Sequence, residues 1–581
     1  MLPSSSRSSG AVRSAFVRGS GGAIQARASL ALVLLSVAAA AQSTVRVSVD
    51  SQGSEGDRRG LASSLSADGR FVAFQTEATN LVPGDTNDAE DIFVHDRWTG
   101  VTRRVSVDSA GVQANAWSSY DCVISADGRF VAFSSFATNL VPNDLDTGWD
   151  VFVHDGLTGT TTCASVDLAG LPNGGIAPAI SGDGRFVAYR GGRVRDLSTG
   201  VTLEAAVDSF GVPGNGQTTW PAISADGRFV AFPSDSTNLV VGDTNQASDI
   251  FVHDLSTGET TRVSVDSSGA QADLGSGQFS PPALSADGRF VAFESNARNL
   301  VPGDTNLATD VFVHDRLTGQ TLRASVRSTG AQVVGFNYTP HLSGDGRFVA
   351  FASSASDLVP GDTNGGYDVF VHDLKTGETE RVDVSSTGAQ ATTSGTAPAI
   401  SLDGRCVSFA SDASNLVVGD TNGARDIFVR DRVGCSATIA SFCDGTPTTH
   451  GCVPVLTGSG TPSASASSGF VLSVSAAEGQ SIGLVFYGVT GPAAVPFGSG
   501  TGLLCVASPL QRTHLRSAGG TLGACDGQFS VDWNAARAAI PFAVGAPFTG
   551  GETVWAQAWL HGSGTASLSS LSTAVWFTVC P

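Results

Sequence analysis

Residues 221–267 read PAISADGRFVAFPSDSTNLVVGDTNQASDIFVHDLSTGETTRVSVDS, and this stretch decides the fold because the chain repeats it. The segment SxDGRFVAF, or a close variant, recurs seven times, with its aspartate at Asp68, Asp127, Asp183, Asp226, Asp287, Asp345 and Asp403. Recurrence at this spacing indicates a repeat architecture, in which each copy is one supersecondary unit that packs on its neighbours.

Each copy contains four apolar runs that we interpret as strands. The first precedes Asp-Gly, the second is RFVAF, the third is IFVHD and the fourth is TRVSVDS. Asp-Gly supplies a tight hairpin turn because glycine tolerates positive φ, and Thr-Gly ends the turn between the third and fourth strands. Four antiparallel strands per repeat are typical of a propeller blade, and a stacked solenoid is the less favoured alternative.

The seven copies predict an all-β, seven-bladed β-propeller, with six blades as the alternative count. The third copy, residues 178–207, is short because it has lost a long loop and not a strand. Residues 44–50 read TVRVSVD and duplicate a fourth strand, whereas the seventh copy ends in the aberrant RVGCSATIASF. We therefore predict that the N-terminal strand completes the seventh blade and closes the ring, which removes exposed sheet edges.

The SxDGRFVAF and DIFVHDxxTG motifs resemble the WD-like propeller repeats of the TolB type, which occur in periplasmic TolB and in the propellers of the prolyl oligopeptidase family. The resemblance covers residues 44–433. It implies a propeller, and in TolB-like proteins the propeller binds other proteins. TolB itself carries an α/β domain before its propeller, and we expect no such domain here, so the chain is expected to be a TolB-type repeat protein and not TolB.

The first 41 residues predict a signal peptide. They carry four arginines and no acidic residue, followed by an apolar run over 30–41 that ends in small residues. This run is shorter than the roughly 20 residues that span a bilayer, so an uncleaved anchor is the less favoured alternative. We expect a secreted or periplasmic protein without stable membrane insertion. The 33 basic and 53 acidic residues give a net charge of −20, which disfavours nucleic acid as a partner.

Residues 434–581 predict a small Cys-rich, β-sandwich-like domain. Apolar runs such as FVLSVSA, IGLVFYGV and TVWAQAWL have the spacing of sandwich strands, and one helix-like piece lies near 533–539. Six of the nine cysteines lie here, which suggests up to three disulfides in an exported protein, and they are Cys435, Cys443, Cys452, Cys505, Cys525 and Cys580. Within the repeats, we predict that Cys122 and Cys163 are not bonded to each other, because the first and fourth strands of one blade lie roughly 14 Å apart.

Six of the seven copies carry an acidic loop between the second and third strands with the pattern Asp-x-(Asn/Asp)-x-x-x-Asp. Oxygen ligands at this spacing suit Ca²⁺, which takes six to eight oxygens in flexible loops. The alternative is that these side chains make Asx turns and cap backbone N–H groups. The candidate ligands are Asp85, Asn87 and Asp91; Asp144, Asp146 and Asp150; Asp243, Asn245 and Asp249; Asp304, Asn306 and Asp310; Asp362, Asn364 and Asp368; and Asp420, Asn422 and Asp426.

Two further patterns have the residue types of a catalytic or metal site. The third strand of five copies carries a histidine, and the five are His95, His154, His253, His314 and His372, with Arg195 and Arg430 in the other two copies. Equivalent positions on a ring lie far apart, so we predict a repeated surface or interblade contact and not a zinc site. Residues 479–483 read GQSIG and match the GxSxG nucleophile elbow, but a β-type run follows where a helix is required, so we interpret the match as coincidence.

These observations favour a secreted, non-enzymatic propeller that binds a protein or other ligand and is stabilised by calcium if the loops bind it. We assign binding to the face that bears the long loops and interblade linkers, because variable loops on a rigid scaffold are where recognition usually resides. The alternative is an extracellular hydrolase or lyase that acts on carbohydrate or peptide at the propeller mouth. The repetition of the prominent aspartates argues against the alternative, because an active site should be a local exception to the repeat.

Overall fold

A computed structural model of the chain describes residues 42–145, 147–167, 170–432, 439–443, 445–448, 450–460, 462, 470–490, 492–497, 502–508, 510–521, 524–538, 553–561 and 569–578. The predicted signal peptide, the candidate ligand Asp146, and the cysteines Cys435 and Cys580 lie outside these residues. Strands are nearly the only regular secondary structure of the described chain, which confirms the predicted all-β class.

Four-stranded antiparallel sheets form the first part of the chain, and we call each one a blade. The N-terminal strand is β1 (Ser43–Arg46), and blades 1 to 3 are β2 (Gly60–Leu65), β3 (Phe71–Thr76), β4 (Asp91–Asp96) and β5 (Val101–Arg104); β6 (Ser118–Ile124), β7 (Phe130–Ser135), β8 (Asp150–Asp155) and β9 (Thr160–Cys163); and β10 (Ala179–Ile180), β11 (Phe186–Tyr189), β12 (Arg193–Asp196) and β13 (Val201–Glu204). Blade 3 keeps four strands although its long loop is missing, as predicted.

The next four blades follow the same order, in which sequential strands are neighbours. Blades 4 to 6 are β14 (Ala222–Ile223), β15 (Phe229–Ser234), β16 (Asp249–Asp254) and β17 (Thr260–Arg262); β18 (Ala283–Leu284), β19 (Phe290–Ser295), β20 (Asp310–Asp315) and β21 (Gln320–Arg323); and β22 (Asn337–Leu342), β23 (Phe348–Ser353), β24 (Asp368–Asp373) and β25 (Thr379–Arg381). Blade 7 is β26 (Gly395–Ile400), β27 (Cys406–Ser411), β28 (Asp426–Asp431) and the N-terminal β1.

The N-terminal strand closes the ring as predicted. Strand β1 pairs antiparallel with β28, with Val45 opposite Val429. Each blade packs its apolar face on the next, and the cluster that contains Val72 and Phe74 of blade 1 also contains Ile427 and Val429 of blade 7. The packing between blades therefore continues from blade 7 to blade 1 in the described part of the chain.

The Asp-Gly hairpins hold neighbouring blades together. Gly128 has a φ of +74°, and a Cβ added there would lie 2.1 Å from the ring of Phe71 in the preceding blade. Two features therefore require glycine at position 128: the left-handed backbone conformation and the close approach of the Phe71 ring. The same approach recurs around the ring, and at the junction of blades 7 and 1 it is made by Gly69 and Cys406.

The remaining strands form three further sheets. They are β29 (Ile439–Cys443), β30 (Val455–Gly460), β31 (Phe470–Ala477), β32 (Ile482–Gly488), β33 (Pro492–Phe497), β34 (Gly502–Val506), β35 (Gln511–Arg512), β36 (Arg516–Ser517), β37 (Gly527–Asp532), β38 (Thr553–His561) and β39 (Ser569–Thr578). The helix α1 (Trp533–Ala538) follows β37 where a helix-like piece was expected. The sheet β30-β31-β37 and the sheet built on β29, β39, β38 and β32 share one buried core around Trp533.

Two disulfides lie among these strands, and they join Cys443 to Cys505 and Cys452 to Cys525. In the propeller, Cys122 lies on β6 and Cys163 on β9, the first and fourth strands of blade 2, and the two are not bonded to each other. That prediction is confirmed. None of the described helices has both the length and the apolar character needed to span a membrane.

Candidate functional site

The repeated histidines are structural. His95 is buried, and its Nδ1 lies 2.8 Å from Oγ1 of Thr102 on the adjacent strand. The Thr102 hydroxyl donates its single hydrogen to the carbonyl of Val49 in the linker before the blade, so Nδ1 must be the donor to Thr102. The other four histidines make the same pair with a threonine, and Arg195 and Arg430 contact Thr202 and Thr44 in their place. The histidines are therefore structural, as predicted, but they are buried and contact their own blade, and the contact to the preceding linker is made by the threonine.

The arginine of each DGR motif is also paired within its own blade. The Arg228 guanidinium donates to both carboxylate oxygens of Asp254, at 2.9 and 2.6 Å, and stacks over the ring of Phe229. All seven blades contain this ion pair, which lies on the face of the Asp-Gly and Thr-Gly turns. The Arg228 side chain holds the pKa of Asp254 well below its usual range. These residues stabilise the turns, as the sequence indicated.

The acidic loops are organised around an arginine that the sequence analysis did not consider. In blade 5, one guanidinium nitrogen of Arg323 lies 3.3 Å from Asp304 and 2.8 Å from Asp310, and all three side chains are buried. Arg104, Arg262, Arg381 and Arg46 occupy the same place in blades 1, 4, 6 and 7. In these five blades a guanidinium therefore lies between two of the carboxylates that we predicted as calcium ligands.

The middle residue of the loop pattern makes an Asx turn. In blade 1, the side-chain oxygen of Asn87 accepts a hydrogen bond from the backbone N–H of Ala89. Its amide group donates to Asp91 at 3.4 Å and to the Ala114 carbonyl of the linker at 3.0 Å. Asn245, Asn306, Asn364 and Asn422 make the equivalent bonds. This is the arrangement that the alternative to calcium requires, although calcium binding itself stays a prediction.

Blades 2 and 3 depart from this arrangement, and blade 7 adds a third carboxylate to it. In blade 2, Cys163 stands where the arginine is expected, opposite Phe152, and its loop contains Asp144 and Asp150. Blade 3 has neither the loop nor the arginine, and Glu204 stands at that position. In blade 7, Glu55 comes close to Asp420 and Asp426, close enough for the three to hold an ion, but the Arg46 guanidinium lies among them, 2.8 Å from Glu55.

Blade 6 buries a second carboxyl group beside its loop. The residue two positions after the arginine is a serine in five blades, and in blade 5 the hydroxyl of Ser325 donates to Asp310 at 2.7 Å. In blade 6 this position is Asp383, which is fully buried against Asp368. Burial and the neighbouring carboxylate raise the pKa of Asp383 well above its usual value. The raised pKa indicates that Asp383 is protonated over a wider pH range than an exposed aspartate.

The long loops and the interblade linkers share one face, as predicted, and we call it the long-loop face. The side-chain amide of Gln113 in the linker donates to Asp85 in the loop at 3.2 Å. One position on this face lies shortly before the first strand of each blade. In all seven blades, its backbone carbonyl accepts a hydrogen bond from a residue at the end of the second strand. Its side chain differs from blade to blade, and the seven residues are Arg59, Trp117, Ile176, Gln217, Gly275, Phe336 and Ser394.

Large apolar side chains are exposed on this face. Trp117 and Phe336 are each 57% exposed, and Phe279, four residues after the variable position of blade 5, is 64% exposed. Tyr338 packs edge-on against Tyr367 of the neighbouring loop. The long-loop face therefore combines a rigid scaffold with aromatic side chains that differ between blades.

A central channel runs where the first strands of all seven blades meet. Its volume is about 470 Å³, and its wall includes Ser64, Ile124, Ile180, Trp220, Leu284, His341 and Pro398, which come from blades 1 to 7 in turn. Six prolines that lie in the first strands or just before them line it, Pro398 among them, and a proline there leaves no unpaired N–H pointing into the channel. The described wall residues include no aspartate, glutamate, lysine or arginine, and His341 is the one histidine among them.

The GxSxG match has the wrong surroundings for a nucleophile. Ser481 is buried, with 1% of its surface exposed, and strand β32 begins at the next residue. Its backbone carbonyl accepts a hydrogen bond from Ala518 of the neighbouring strand region. The interpretation of the motif as coincidence agrees with this structure.

Sequence reasoning missed three features. The loop arginine had a visible signal, because TRVSVD places an arginine at the same point of the fourth strand in most copies. Asp383 had a weaker one, since it replaces a serine of that motif. His341 lies outside the repeated histidine pattern, and no periodicity marks it as a channel residue.

Comparison with solved structures finds propellers of low sequence identity. A putative TolB from Agrobacterium tumefaciens is 15% identical over 64% of this chain and 90% of its own, with a TM-score of 0.30. The Dos1 propeller is 12% identical over 68% and 94%, with a TM-score of 0.36. An acylaminoacyl peptidase in complex with Z-Gly-Gly-Phe-chloromethyl ketone is 10% identical over 73% and 59%, with a TM-score of 0.39. No family model and no curated protein sequence matches the chain. Because these TM-scores lie below 0.5, the fold assignment rests on the sheets themselves.

Proposed function

We propose that this chain is an exported, non-enzymatic binding module that holds a partner protein on its long-loop face. The observation that carries the proposal is the variable position before each first strand. Around a ring whose blades otherwise repeat, this position changes from Arg59 to Trp117 to Phe336, and its aromatic members are exposed. Exposed aromatic side chains on a rigid surface are enriched at protein interfaces and often supply most of the binding energy.

The repeated polar side chains support binding over catalysis. A general acid or base must be accessible to its substrate and have a suitable pKa. The loop carboxylates of blade 5 are buried and paired with Arg323, and the third-strand histidines are paired with threonines. These groups stabilise the scaffold, which leaves the variable residues to select a partner.

The two disulfides support an exported location for the protein. The bonds between Cys443 and Cys505 and between Cys452 and Cys525 would persist in an oxidising compartment and not in the cytosol. We therefore place the partner in the bacterial envelope or in the medium.

Site-specific photo-crosslinking tests the surface. A photoreactive phenylalanine analogue at position 117 or 336 should form a crosslink to one protein of the source organism's envelope or medium. Leu157 and Leu317 are matched controls, because each is 75% exposed but lies in a Thr-Gly turn on the opposite face. Trp117→Ala with Phe336→Ala should abolish co-purification of that protein, and Leu157→Ala with Leu317→Ala should leave it unchanged. Equal crosslinking from both faces would refute the proposal.

A further inference from the structure

The central channel has the size and wall of a small-molecule site. Its volume of about 470 Å³ lies within the range of roughly 300–1,000 Å³ that ligand pockets occupy. Prolines, alanines and branched aliphatic side chains make up most of the wall, with Trp220 and Phe279 also lining it. Such pockets are mostly apolar and carry a few polar groups that fix the orientation of the ligand.

His341 is the exception to the repeat in this wall. It pairs with Ala350 of the second strand, and the same register position in the other blades is occupied by Ser64, Val123, Ala179, Ala222, Ala283 and Ala399. None of these six residues is as large and as polar as histidine. Its presence is therefore not required by the blade structure.

The imidazole of His341 differs from the five repeated histidines in its contacts. Each of those binds a threonine through Nδ1, as His372 binds Thr379 at 2.8 Å. Among the described residues, His341 has no hydrogen-bond partner and no charged neighbour, and burial alone lowers its pKa to about 4. The imidazole is therefore neutral at physiological pH and offers one donor and one acceptor.

The backbone beside His341 forms a bulge. Thr339 has a φ of 51° at the bulge that shifts the register between Tyr338 and His341. Ala397 has a φ of 49° at the equivalent bulge of blade 7, so this conformation belongs to the bulge of the first strand and is not specific to His341. The Thr339 N–H donates to the Ser280 hydroxyl of blade 5, which fixes the bulge in place.

We propose that the central channel binds an uncharged, largely apolar molecule with one hydroxyl group, and that the His341 imidazole binds that hydroxyl. A charged ligand is disfavoured, because the described wall has no opposite charge to compensate its burial. This site is separate from the aromatic residues Trp117 and Phe336, so failure of either proposal leaves the other intact.

Two naphthalene probes test the site by calorimetry on the full-length protein. 1-Naphthol has the hydroxyl group and naphthalene lacks it. His341→Ala should weaken 1-naphthol binding by roughly five- to tenfold, the value of one hydrogen bond in an apolar site, and change naphthalene binding by less than about twofold. The variant should fold, because alanine occupies this register position in four other blades.

Ser64→Ala is the control, because Ser64 is the equivalent residue of blade 1 in the same channel. The Ser64 hydroxyl already accepts a hydrogen bond from the Ile124 N–H, so the variant should weaken 1-naphthol binding much less than His341→Ala does. In the wild-type protein with labelled histidine, 1-naphthol should shift one imidazole NMR signal, the one that disappears in His341→Ala. Equal 1-naphthol affinity in wild type and His341→Ala, or no saturable binding of 1-naphthol up to about 1 mM, would overturn the proposal.

Discussion

Single substitutions within a repeat show what each position contributes, because the other blades serve as internal references. Asp383 is the clearest case. Ser106, Ser165, Ser264 and Ser325 stand at its position, and each donates its hydroxyl hydrogen to the aspartate that begins the third strand. An aspartate can replace that donor only while it is protonated, so blade 6 depends on a proton that the other blades do not need.

Asp383→Ser is expected to stabilise the protein, and the gain should increase with pH. Unfolded Asp383 loses its proton near pH 4, whereas the pKa in the folded state is raised well above that value. The folded state therefore binds more protons between these two pKa values, and the free energy of unfolding falls as pH rises through this interval. Urea denaturation at pH 4.5 and pH 8 should show a larger gain from the substitution at pH 8.

The reciprocal substitution is the control. Ser325→Asp introduces the same carboxyl pair into blade 5, beside Asp310, and should destabilise the protein more at pH 8 than at pH 4.5. If Asp383→Ser were destabilising at pH 8, the protonated pair would not be the source of strain in blade 6.

Arg323→Ala tests the guanidinium that lies between two buried carboxylates. Removing one partner of a buried ion network leaves uncompensated charge and typically costs about 3–5 kcal/mol. Arg323 is 9% exposed and contacts both Asp304 and Asp310, so we expect a loss in this range by chemical denaturation. Arg193→Ala, which removes a half-exposed arginine of blade 3 that pairs with Glu204 at the surface, should cost less than about 1 kcal/mol.

At the scale of the element, the acidic loop raises the question of calcium. An ion that binds only the folded state raises the melting temperature by mass action. Because an arginine lies between the aspartates of five loops, we expect millimolar Ca²⁺ and a chelator to give the same melting temperature for the wild-type protein. A rise of several degrees with Ca²⁺ would show that the loops bind the ion in spite of the arginine.

The N-terminal strand β1 contributes more than its length suggests. It completes blade 7, and Arg46 at its end reaches Asp420, Asp426 and Glu55. A chain that starts at Ser51 should expose the edge of β28 and leave those carboxylates without the arginine, so its melting temperature should fall by well over 5 °C compared with a chain that starts at Gln42. An unchanged melting temperature would mean that closure by β1 does not stabilise the ring.

At the scale of the whole molecule, the buried histidines make the free energy of unfolding depend on pH. Burial lowers the pKa of His95 and His154 to about 4 and lowers the pKa values of His253, His314 and His372. Between that range and about pH 6.5 the unfolded chain binds protons that the folded chain does not, so stability falls as pH falls through this window. The contribution of the histidines to the urea midpoint should therefore decrease from pH 7 to pH 4.5, whereas carboxyl groups with a raised pKa, such as Asp383, contribute in the opposite direction. His95→Gln with His154→Gln should reduce that decrease, because glutamine can still donate to threonine but does not titrate.

The sequence by itself determined the repeat, the four strands of each blade, the Asp-Gly turns and the closing strand. These features depend on local alternation and on turn residues, which act over a few neighbours in the chain and recur in each copy. The same periodicity identified the repeated histidines as structural, because equivalent positions on a ring cannot converge on one site.

The tertiary structure alone decided what the acidic loops contact and what the channel contains. Arg323 meets Asp304 across 19 positions of the chain, and the channel wall is assembled from seven strands that span most of the propeller. Contacts of this kind depend on how the strands pack and not on local pattern, so the loop sequence alone did not show that an arginine lies among its carboxylates. His341 became a candidate site only when the ring brought the other six first strands around it.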